Sequence, residues 1–276
     1  DVQRAGPSTG MPTKTEQSDL LMALYGRHGE SPLPVLAPST PAGCFDVAFE
    51  AVQLAIRYRT PVIILSDTFL ASSSEPWLIP SVAELEGINP RFATAPAADG
   101  EPFMPYVRDE RLARPWAVPG TPGLQHRIGG LEKADGSGNI SYDGANHARM
   151  TELRAAKIAG IANELPPLEV DSQPGASLLV LGWGSSEGAI RAGVRRARLA
   201  GHKVASAHLR HLNPLPDDLG QVLASFDRVL VPEMNSGQLA KVLRAKYLVD
   251  VESYCKVQGQ PLFTSEIELA IAERQP

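Results

Sequence analysis

Apolar positions in the first part of the chain alternate between short continuous runs and a helical spacing. A strand is predicted at 34–37 and another at 61–66, where a continuous apolar run is typical of a parallel strand covered on both faces. Between them, apolar side chains recur every three or four residues, which predicts a helix that begins at Thr40 and Pro41 and runs to Tyr58. Strand, helix and strand at this spacing predict a βαβ unit.

The C-terminal part of the chain repeats this alternation more regularly. Strands are predicted at 177–181, 204–209, 228–231 and 249–254. Helices are predicted between them, ending near Ala200, Phe226 and Lys246, and a closing helix is predicted at 265–273 with Thr264 as its cap. This alternation predicts a parallel sheet covered by helices.

The regular pattern disappears between residues 67 and 143. Gly and Pro number 24 each in the whole chain, and many of the prolines fall in this segment. Long irregular segments of compact chains are usually functional or wrapped over a partner. Trp77, Phe103, Tyr106 and Trp116 supply apolar area that favours burial. We therefore expect the segment to pack on a neighbouring subunit, with a plain surface excursion as the alternative.

Helical periodicity resumes at 146–165. Its candidate buried positions are Met150, Leu153, Ile158 and Ile161. His147 is expected to cap or pack against this helix rather than to act in catalysis. The whole chain is predicted to be an α/β protein with two helix-covered, mainly parallel sheets. Domains are expected at 1–165, including the loop-rich excursion 67–143, and at 176–276, joined by a Pro-containing linker at 166–175.

The opening segment combines a strand end, a loop and a helix start. Asp1 to Gln3 resembles the end of a strand, and the loop Arg4–Pro12 follows it. Thr13 and Glu16 have the spacing of a capping box, which predicts a helix at 15–25. A loop that leads into a helix N-terminus favours an anion or a carboxylate. The alternative is a rigid connector in which Arg4 makes a surface ion pair.

Two glycine-containing stretches imitate nucleotide-binding motifs. The opening loop is not a P-loop, because Thr13 stands before Lys14 where that motif needs Gly. Residues 182–188 follow a predicted strand in the pattern G-x-G-x-x-x-G, which imitates a dinucleotide-binding turn. The next strand ends in HLRH at 208–211 rather than in an acidic residue. This disfavours NAD and leaves an NADP site dependent on Arg210 alone.

Composition and charge narrow the function classes. The net charge of −5 argues against nucleic acid or a membrane surface as a partner. No apolar run approaches the roughly 18 residues that a membrane helix needs. Cys44 and Cys255 form no C-x-x-C pair, which argues against a self-contained zinc or iron–sulfur site and fits buried thiols in a reducing cytoplasm. The histidines at 202, 208 and 211 lack metal-ligand spacing with nearby acids, so no metal is assigned.

Several longer motifs occur in a fixed order along the chain. They are QRAGPSTGMPTKTEQSDL at 3–20, GLEKADGSGNISYDGANHARM at 130–150, HLNPLP at 211–216, VLVPEMNSGQL at 229–239 and KVQGQPL at 256–262. Together they resemble the α subunit of the 2-oxoacid:ferredoxin oxidoreductases, most closely the 2-oxoglutarate type. The resemblance covers nearly the whole chain.

This resemblance implies a chemistry and a set of partners. Members of the family oxidatively decarboxylate a 2-oxoacid with coenzyme A and pass electrons singly to ferredoxin. For 2-oxoglutarate, an acid of the TCA cycle, the products are succinyl-CoA and CO₂. Thiamine diphosphate, Mg²⁺ and a [4Fe–4S] cluster would be held mainly by a partner β subunit, in a cytoplasmic hetero-oligomer of the (αβ)₂ type.

The resemblance also implies roles for parts of this chain. Residues 1–165 would be the end of the pyrimidine-side thiamine domain, and 176–276 a domain like the C-terminal domain of transketolase. The carboxylate that activates thiamine would precede Asp1, so no catalytic residue is expected here. The chain would be the C-terminal part of the α subunit, inactive without the upstream part and the β subunit.

The opening loop would carry the substrate contacts. Arg4 is the expected ligand of a 2-oxoacid carboxylate, because its planar cation suits that group. The other expected contributors are Ser8 and Thr9 as donors, Gly6, Pro7 and Gly10 as the pocket wall, and Lys14, which is equally compatible with an exposed surface lysine. Two further functions remain open: a non-catalytic assembly or regulatory subunit, and a stand-alone NADP-linked reductase.

Overall fold

The computed structural model describes residues 1–96 and 100–275 of the chain. Its strands are β1 (Val2–Gln3), β2 (Val35–Leu36), β3 (Ile63–Ile64), β4 (Ser66–Asp67), β5 (Phe92–Ala93), β6 (Trp116–Ala117), β7 (Val170–Asp171), β8 (Leu178–Trp183), β9 (Val204–Leu209), β10 (His211–Asn213), β11 (Arg228–Glu233) and β12 (Val251–Cys255). Its helices are α1 (Leu20–Tyr25), α2 (Gly43–Tyr58), α3 (Thr68–Ala71), α4 (Gly144–Gly160), α5 (Glu187–Leu199), α6 (Leu219–Ala224), α7 (Gln238–Tyr247) and α8 (Thr264–Ala272). The predicted α/β class is confirmed.

The N-terminal half contains the predicted βαβ unit. β2 and β3 pair in parallel, and α2 connects them. The hydroxyl oxygen of Thr40 accepts a hydrogen bond from the N–H of Gly43 at 3.0 Å, which supports the start of the helix. The buried face of α2 packs on Leu36 of β2. β4, which follows β3 in the chain, pairs in parallel with β1. This pairing places the opening segment next to the βαβ unit.

A five-stranded sheet in the order β12-β11-β8-β9-β7 forms the C-terminal half. Its neighbouring strands are parallel except β7 with β9. The central strand β8 is buried on both faces: Leu179 and Leu181 pack with α6 and α7, whereas Leu178 and Val180 pack with α5 and α8. The predicted parallel, helix-covered sheet is confirmed, and the double burial explains its continuous apolar runs.

Two short strands are absent from the elements predicted above, and the first of them ties the two halves together. β10 pairs antiparallel with β2, so the sheet β10-β2-β3 contains strands from both halves of the chain. β7 lies within the segment predicted as a linker and pairs with β9 at the edge of the large sheet. Leu20 and Ala23 of α1 share a hydrophobic core with Leu181 and Trp183. The two halves therefore meet across a common apolar interface.

The described part of residues 67–143 is largely irregular, as predicted. It contains α3, the parallel pair β5–β6 and isolated bridges. It contacts α2 through Trp77 and Phe45, and α4 through Arg108 and Met150. The Arg59 guanidinium at the end of α2 lies 4.0 Å from the ring centroid of Trp116. Phe103 is buried, whereas Trp77 stays 44% exposed beside Phe45. Packing of this segment on a neighbouring subunit stays a prediction.

The helix predicted at 146–165 is α4, which continues in a 3₁₀ turn to Glu164. All four of its candidate core positions are buried. Asp143 caps it, because its Oδ1 accepts the N–H of Asn146 at 2.7 Å. His147 does not act as the cap; its Nδ1 lies 2.7 Å from a carboxylate oxygen of Glu132.

Several local predictions are wrong. Thr264 is the first residue of α8 rather than its N-cap, which is Phe263. The helix predicted at 15–25 begins only at Leu20, because the preceding residues leave the helical path to contact the C-terminal half. Cys255 is exposed rather than buried, since it lies at the end of the edge strand β12, while Cys44 is half-buried.

Candidate functional site

The opening loop is closed by backbone hydrogen bonds. The N–H of Ala5 donates to the carbonyl of Lys14, and the N–H of Met11 donates to the carbonyl of Ala5, both at 2.9 Å. Gly10 sits inside this closure with φ +49°, and a Cβ at Gly10 would lie 2.0 Å from the oxygen of Ala5. No larger residue fits there, so the loop has a defined shape that depends on this glycine.

Glu16 anchors the loop to the C-terminal half. Its side chain is buried, and its carboxylate lies beside the backbone N–H groups of Gly6 and Gly259. It therefore does not form the predicted capping box with Thr13. Burial raises the pKa of Glu16, and the two backbone donors oppose that rise. One buried carboxylate thus connects residues more than two hundred positions apart in sequence.

The loop that contains Gly259 lies directly against the opening loop. A Cβ at Gly259 would lie 2.7 Å from the Cε of Met11 and 2.9 Å from the Cβ of Lys14. Lys256 holds this second loop in place: its Nζ donates to the carbonyl of Pro261 at 2.9 Å and to the Glu266 carboxylate at 2.8 Å. The motif at 256–262 therefore forms one wall of the candidate site.

Gln17 attaches the same segment to the ends of β8 and β11. Its Nε2 donates to the carbonyl of Trp183 at 2.8 Å, and its Oε1 accepts the N–H of Met234 at 3.0 Å. The space beside Gly184 is filled, because a Cβ at Gly184 would lie 2.8 Å from the Gln17 Nε2. A dinucleotide would need that turn for its pyrophosphate. The G-x-G-x-x-x-G turn is thus a packing surface for Gln17.

Glu233, at the end of β11, is the structural centre of the motif at 229–239. It is fully buried and accepts hydrogen bonds from the N–H of Leu239 at 2.8 Å and the Nε1 of Trp183 at 3.2 Å. Burial raises the pKa of Glu233, and its hydrogen-bond donors oppose that rise. Sequence reasoning assigned no role to Glu233. The sequence feature that could have identified Glu233 is an acidic residue at the end of an apolar strand, just before a helix.

The predicted substrate residues lie together on the outer side of this anchored loop. Arg4, Ser8 and Thr9 are exposed, and so are the predicted wall residues and Lys14. The Nη2 of Arg4 approaches the carbonyl of Ser8 at 3.5 Å, so most of its donors face solvent. Ser8 has φ 56°, in the left-handed region that is uncommon outside glycine. The loop is therefore rigid on its inner side and open on its outer side.

Other ionisable groups lie away from this loop. His211, on β10, pairs with Glu50 of α2, which adds an ionisable pair to the contacts between the two halves. Across residues 1–96 and 100–275, no group of three or more His, Cys, Asp or Glu side chains is arranged to hold a metal ion. In the same described ranges, no helix combines the length and the apolar character needed to cross a membrane.

Comparison with known proteins defines the class. Residues 1–141 match the family described as pyruvate flavodoxin/ferredoxin oxidoreductase, thiamine diphosphate-binding. The chain belongs to this family, which confirms the resemblance seen in its motifs. The chain is 60% identical over 269 residues to the 2-oxoglutarate oxidoreductase subunit KorA of Mycobacterium tuberculosis, covering 97% of this chain and 40% of that protein.

Two further proteins are similar along the whole chain. The 2-oxoglutarate synthase subunit KorA of Archaeoglobus fulgidus is 31% identical over 271 residues, which are 97% of this chain and 67% of that protein. The structure of the 2-oxoglutarate:ferredoxin oxidoreductase from Magnetococcus marinus, with 2-oxoglutarate, coenzyme A and succinyl-CoA bound, matches with a TM-score of 0.91 and 35% identity. The match covers 99% of this chain and 47% of that one. The chain thus spans less than half the length of several proteins that it resembles.

Proposed function

We propose that this chain is part of the α subunit of a 2-oxoglutarate:ferredoxin oxidoreductase. The observation that carries the proposal is the match of 99% of the chain, at a TM-score of 0.91, to an enzyme solved with 2-oxoglutarate and succinyl-CoA bound. The M. tuberculosis relative, which is named for the same substrate, supports it. The reaction breaks the bond between the carboxyl and keto carbons, releases CO₂, joins the remaining acyl group to coenzyme A and passes two electrons, one at a time, to ferredoxin.

In this function the opening loop binds and orients the 2-oxoacid. Arg4 holds a carboxylate through its planar fork of donors, and the Ser8 and Thr9 hydroxyls donate to oxygens of the substrate. Gly6, Pro7 and Gly10 form the wall, and Lys14 adds positive charge at its edge. Glu16, buried beside the backbone of Gly6, supports the loop from its inner side. Thiamine diphosphate, when bound in the complete assembly, would supply a nucleophilic carbon and an electron sink for the decarboxylation.

The remaining groups are assigned to partners. The outer side of the opening loop is exposed, so a second surface must close the site. We assign that surface to the β subunit, which would hold Mg²⁺ and the [4Fe–4S] cluster, and to the upstream part of the α subunit. A cytoplasmic (αβ)₂ assembly, and a division into domains at 1–165 and 176–276, follow from the same family resemblance. An NADP-linked reductase is disfavoured because Gln17 fills the turn at Gly184.

Substrate-dependent reduction of a low-potential dye by the intact complex tests this proposal. With coenzyme A present, the wild type should prefer 2-oxoglutarate to pyruvate. Arg4→Ala should lower kcat/KM for 2-oxoglutarate by about 10- to 100-fold, the effect of losing a charged hydrogen bond of roughly 1.5–3 kcal/mol. Arg4→Lys keeps the charge but not the planar fork of donors, so its kcat/KM should lie between those of the wild type and Arg4→Ala. Arg195, an exposed residue of α5, provides the matched control Arg195→Ala.

Each result bears on a different part of the proposal. A wild-type complex that is inactive on both 2-oxoacids would refute the function itself. An active complex in which Arg4→Ala behaves like Arg195→Ala would refute only the role of Arg4. If Arg4→Ala loses activity on 2-oxoglutarate but not on pyruvate, Arg4 contacts the carboxylate that pyruvate lacks.

A further inference from the structure

A second candidate site lies between the irregular segment and the helices α2 and α4. Two adjoining cavities, of about 340 Å³ and about 420 Å³, are both lined by Arg59, Arg108 and Arg114. Arg91 lines the first cavity and Lys157 the second. We call these five residues the arginine cleft. Cavities of several hundred Å³ are typical of small-molecule sites.

The positive charge of this cleft is not balanced by the described part of the chain. Arg108 pairs with Asp135 at 2.5 Å. The other four cations of the cleft make no ion pair with a carboxylate of residues 1–96 or 100–275. Three of them, Arg59, Arg114 and Lys157, are partly buried, so water screens them incompletely.

The carboxylates nearest to the cleft are already engaged. Glu86 and Asp109 line the first cavity, and Glu132 lines the second, where it lies 2.7 Å from the Nδ1 of His147. The charge of Asp109 acts on Arg59 and Lys157, but these three carboxylates are fewer than the five cations of the cleft. An excess of positive charge therefore remains inside the cleft.

Aromatic rings and carbonyl groups hold the arginines without neutralising them. The Arg59 guanidinium lies over Trp116, while Arg108 and Arg114 lie 5.5 and 5.7 Å from the centroid of Tyr106. Ring faces attract cations but carry no net charge, so the positive charge persists. The Nη atoms of Arg59 donate to backbone carbonyls, whereas its buried Nε has no acceptor. That atom is an unsatisfied donor in a cationic cavity.

The pKa of Lys157 reflects the positive charges that surround it in the cleft. Its Nζ approaches the backbone carbonyl of Arg59 at 3.5 Å. Burial, together with the charges of Arg108 and Arg114, lowers the pKa of Lys157 to about 8. A bound anion would reverse this shift by compensating the neighbouring cations.

We propose that the arginine cleft binds the phosphate group of a small metabolite. A carboxylate brings a single charge, whereas a phosphate dianion brings close to two charges and several acceptor oxygens that match arginine forks. Inorganic phosphate and a nucleotide diphosphate share this chemistry, and the cleft volume admits either. None of the cleft residues belongs to the opening loop, so this site is separate from the proposed contacts to the 2-oxoacid.

Calorimetric titration of the intact complex, saturated with thiamine diphosphate, tests this site. The probes are inorganic phosphate, pyrophosphate and ADP at constant ionic strength. The wild type should bind at least one of them saturably, and Arg114→Gln should weaken that binding about tenfold or more, as expected for a charged hydrogen bond. Arg114→Lys keeps the charge and should recover part of the affinity. Arg195→Gln is the control for loss of one surface charge.

The arms of the experiment separate the outcomes. Tighter binding of ADP than of pyrophosphate supports a nucleotide as the source, whereas binding of the inorganic anions as tightly as ADP supports free phosphate. The proposal is overturned if the wild type binds none of the three probes saturably. That result is expected if an acidic segment of a partner already fills the cleft. It is also overturned if Arg114→Gln and Lys157→Gln, checked for folding by circular dichroism, bind as tightly as the wild type.

Discussion

The buried carboxylate of Glu16 lies beside the backbone N–H of Gly259, and the N–H of Gly6 lies near the same carboxylate. This contact places the opening loop against a loop from the far end of the chain. A binding loop gains precision when buried polar contacts support its inner side. Under the proposed function, Glu16 is therefore a positioning residue, because the exposed residues beyond it would meet the substrate.

Glu16→Gln should loosen the opening loop while leaving its outer residues unchanged. The amide retains one acceptor oxygen and loses the charge, so we expect kcat/KM for 2-oxoglutarate to fall about tenfold, equivalent to ~1.4 kcal/mol. The melting temperature of the complex should also decrease. The control is Glu268→Gln, on the solvent side of α8, where the carboxylate is 3.7 Å from Arg196. If both variants behave alike, the anchoring role of Glu16 is wrong.

Gln17→Ala should detach the opening segment from the large sheet. Gln17 is fully buried, and its loss would leave the N–H of Met234 without its side-chain acceptor and the carbonyl of Trp183 with Ser186 as its remaining side-chain donor. We expect the free energy of unfolding to decrease by about 2–4 kcal/mol. Urea unfolding measures it, with Gln221→Ala on the exposed side of α6 as the control. A loss below about 0.5 kcal/mol would mean that the segment is held elsewhere.

The two glycines of the opening loop should respond differently to alanine. At Gly10 a Cβ would lie 2.0 Å from the Ala5 oxygen, whereas at Gly6 its nearest neighbour would be 4.0 Å away. Gly10→Ala should therefore lower the melting temperature, with a cost of at least ~1 kcal/mol from backbone strain alone. Gly6→Ala should leave it nearly unchanged. Equal melting temperatures for both variants would show that the loop can relax away from its closed shape.

Lys157 should make stability depend on pH in the alkaline range. Its pKa is lowered from 10.5 to about 8, so between these values the unfolded chain binds more protons than the folded one. The contribution of Lys157 to the free energy of unfolding must therefore become more favourable as pH rises from about 8 towards 10.5. Comparing wild type with Lys157→Met by urea unfolding across this range isolates the effect. A wild-type curve parallel to that of Lys157→Met would rule out the shift.

The regular elements and the family were accessible from the sequence. Continuous apolar runs identified β8, β9 and β11, because strands buried on both faces need no polar side. Helical periodicity identified α2 and α4 together with their buried faces. The candidate substrate residues came from the motif at the start of the chain, and they do share one exposed loop. Their roles stay predictions.

What connects these elements was decided by tertiary structure. Thr13 and Glu16 have capping-box spacing, but the carboxylate reaches Gly6 and Gly259 instead, because a contact across the fold outweighs a local one. Likewise, the turn at Gly184 has the spacing of a nucleotide-binding motif and is filled by Gln17. The arginine cleft joins positions from 59 to 157, which no local pattern relates. Spacing along a chain determines local structure, whereas burial and charge compensation depend on neighbours that only folding brings together.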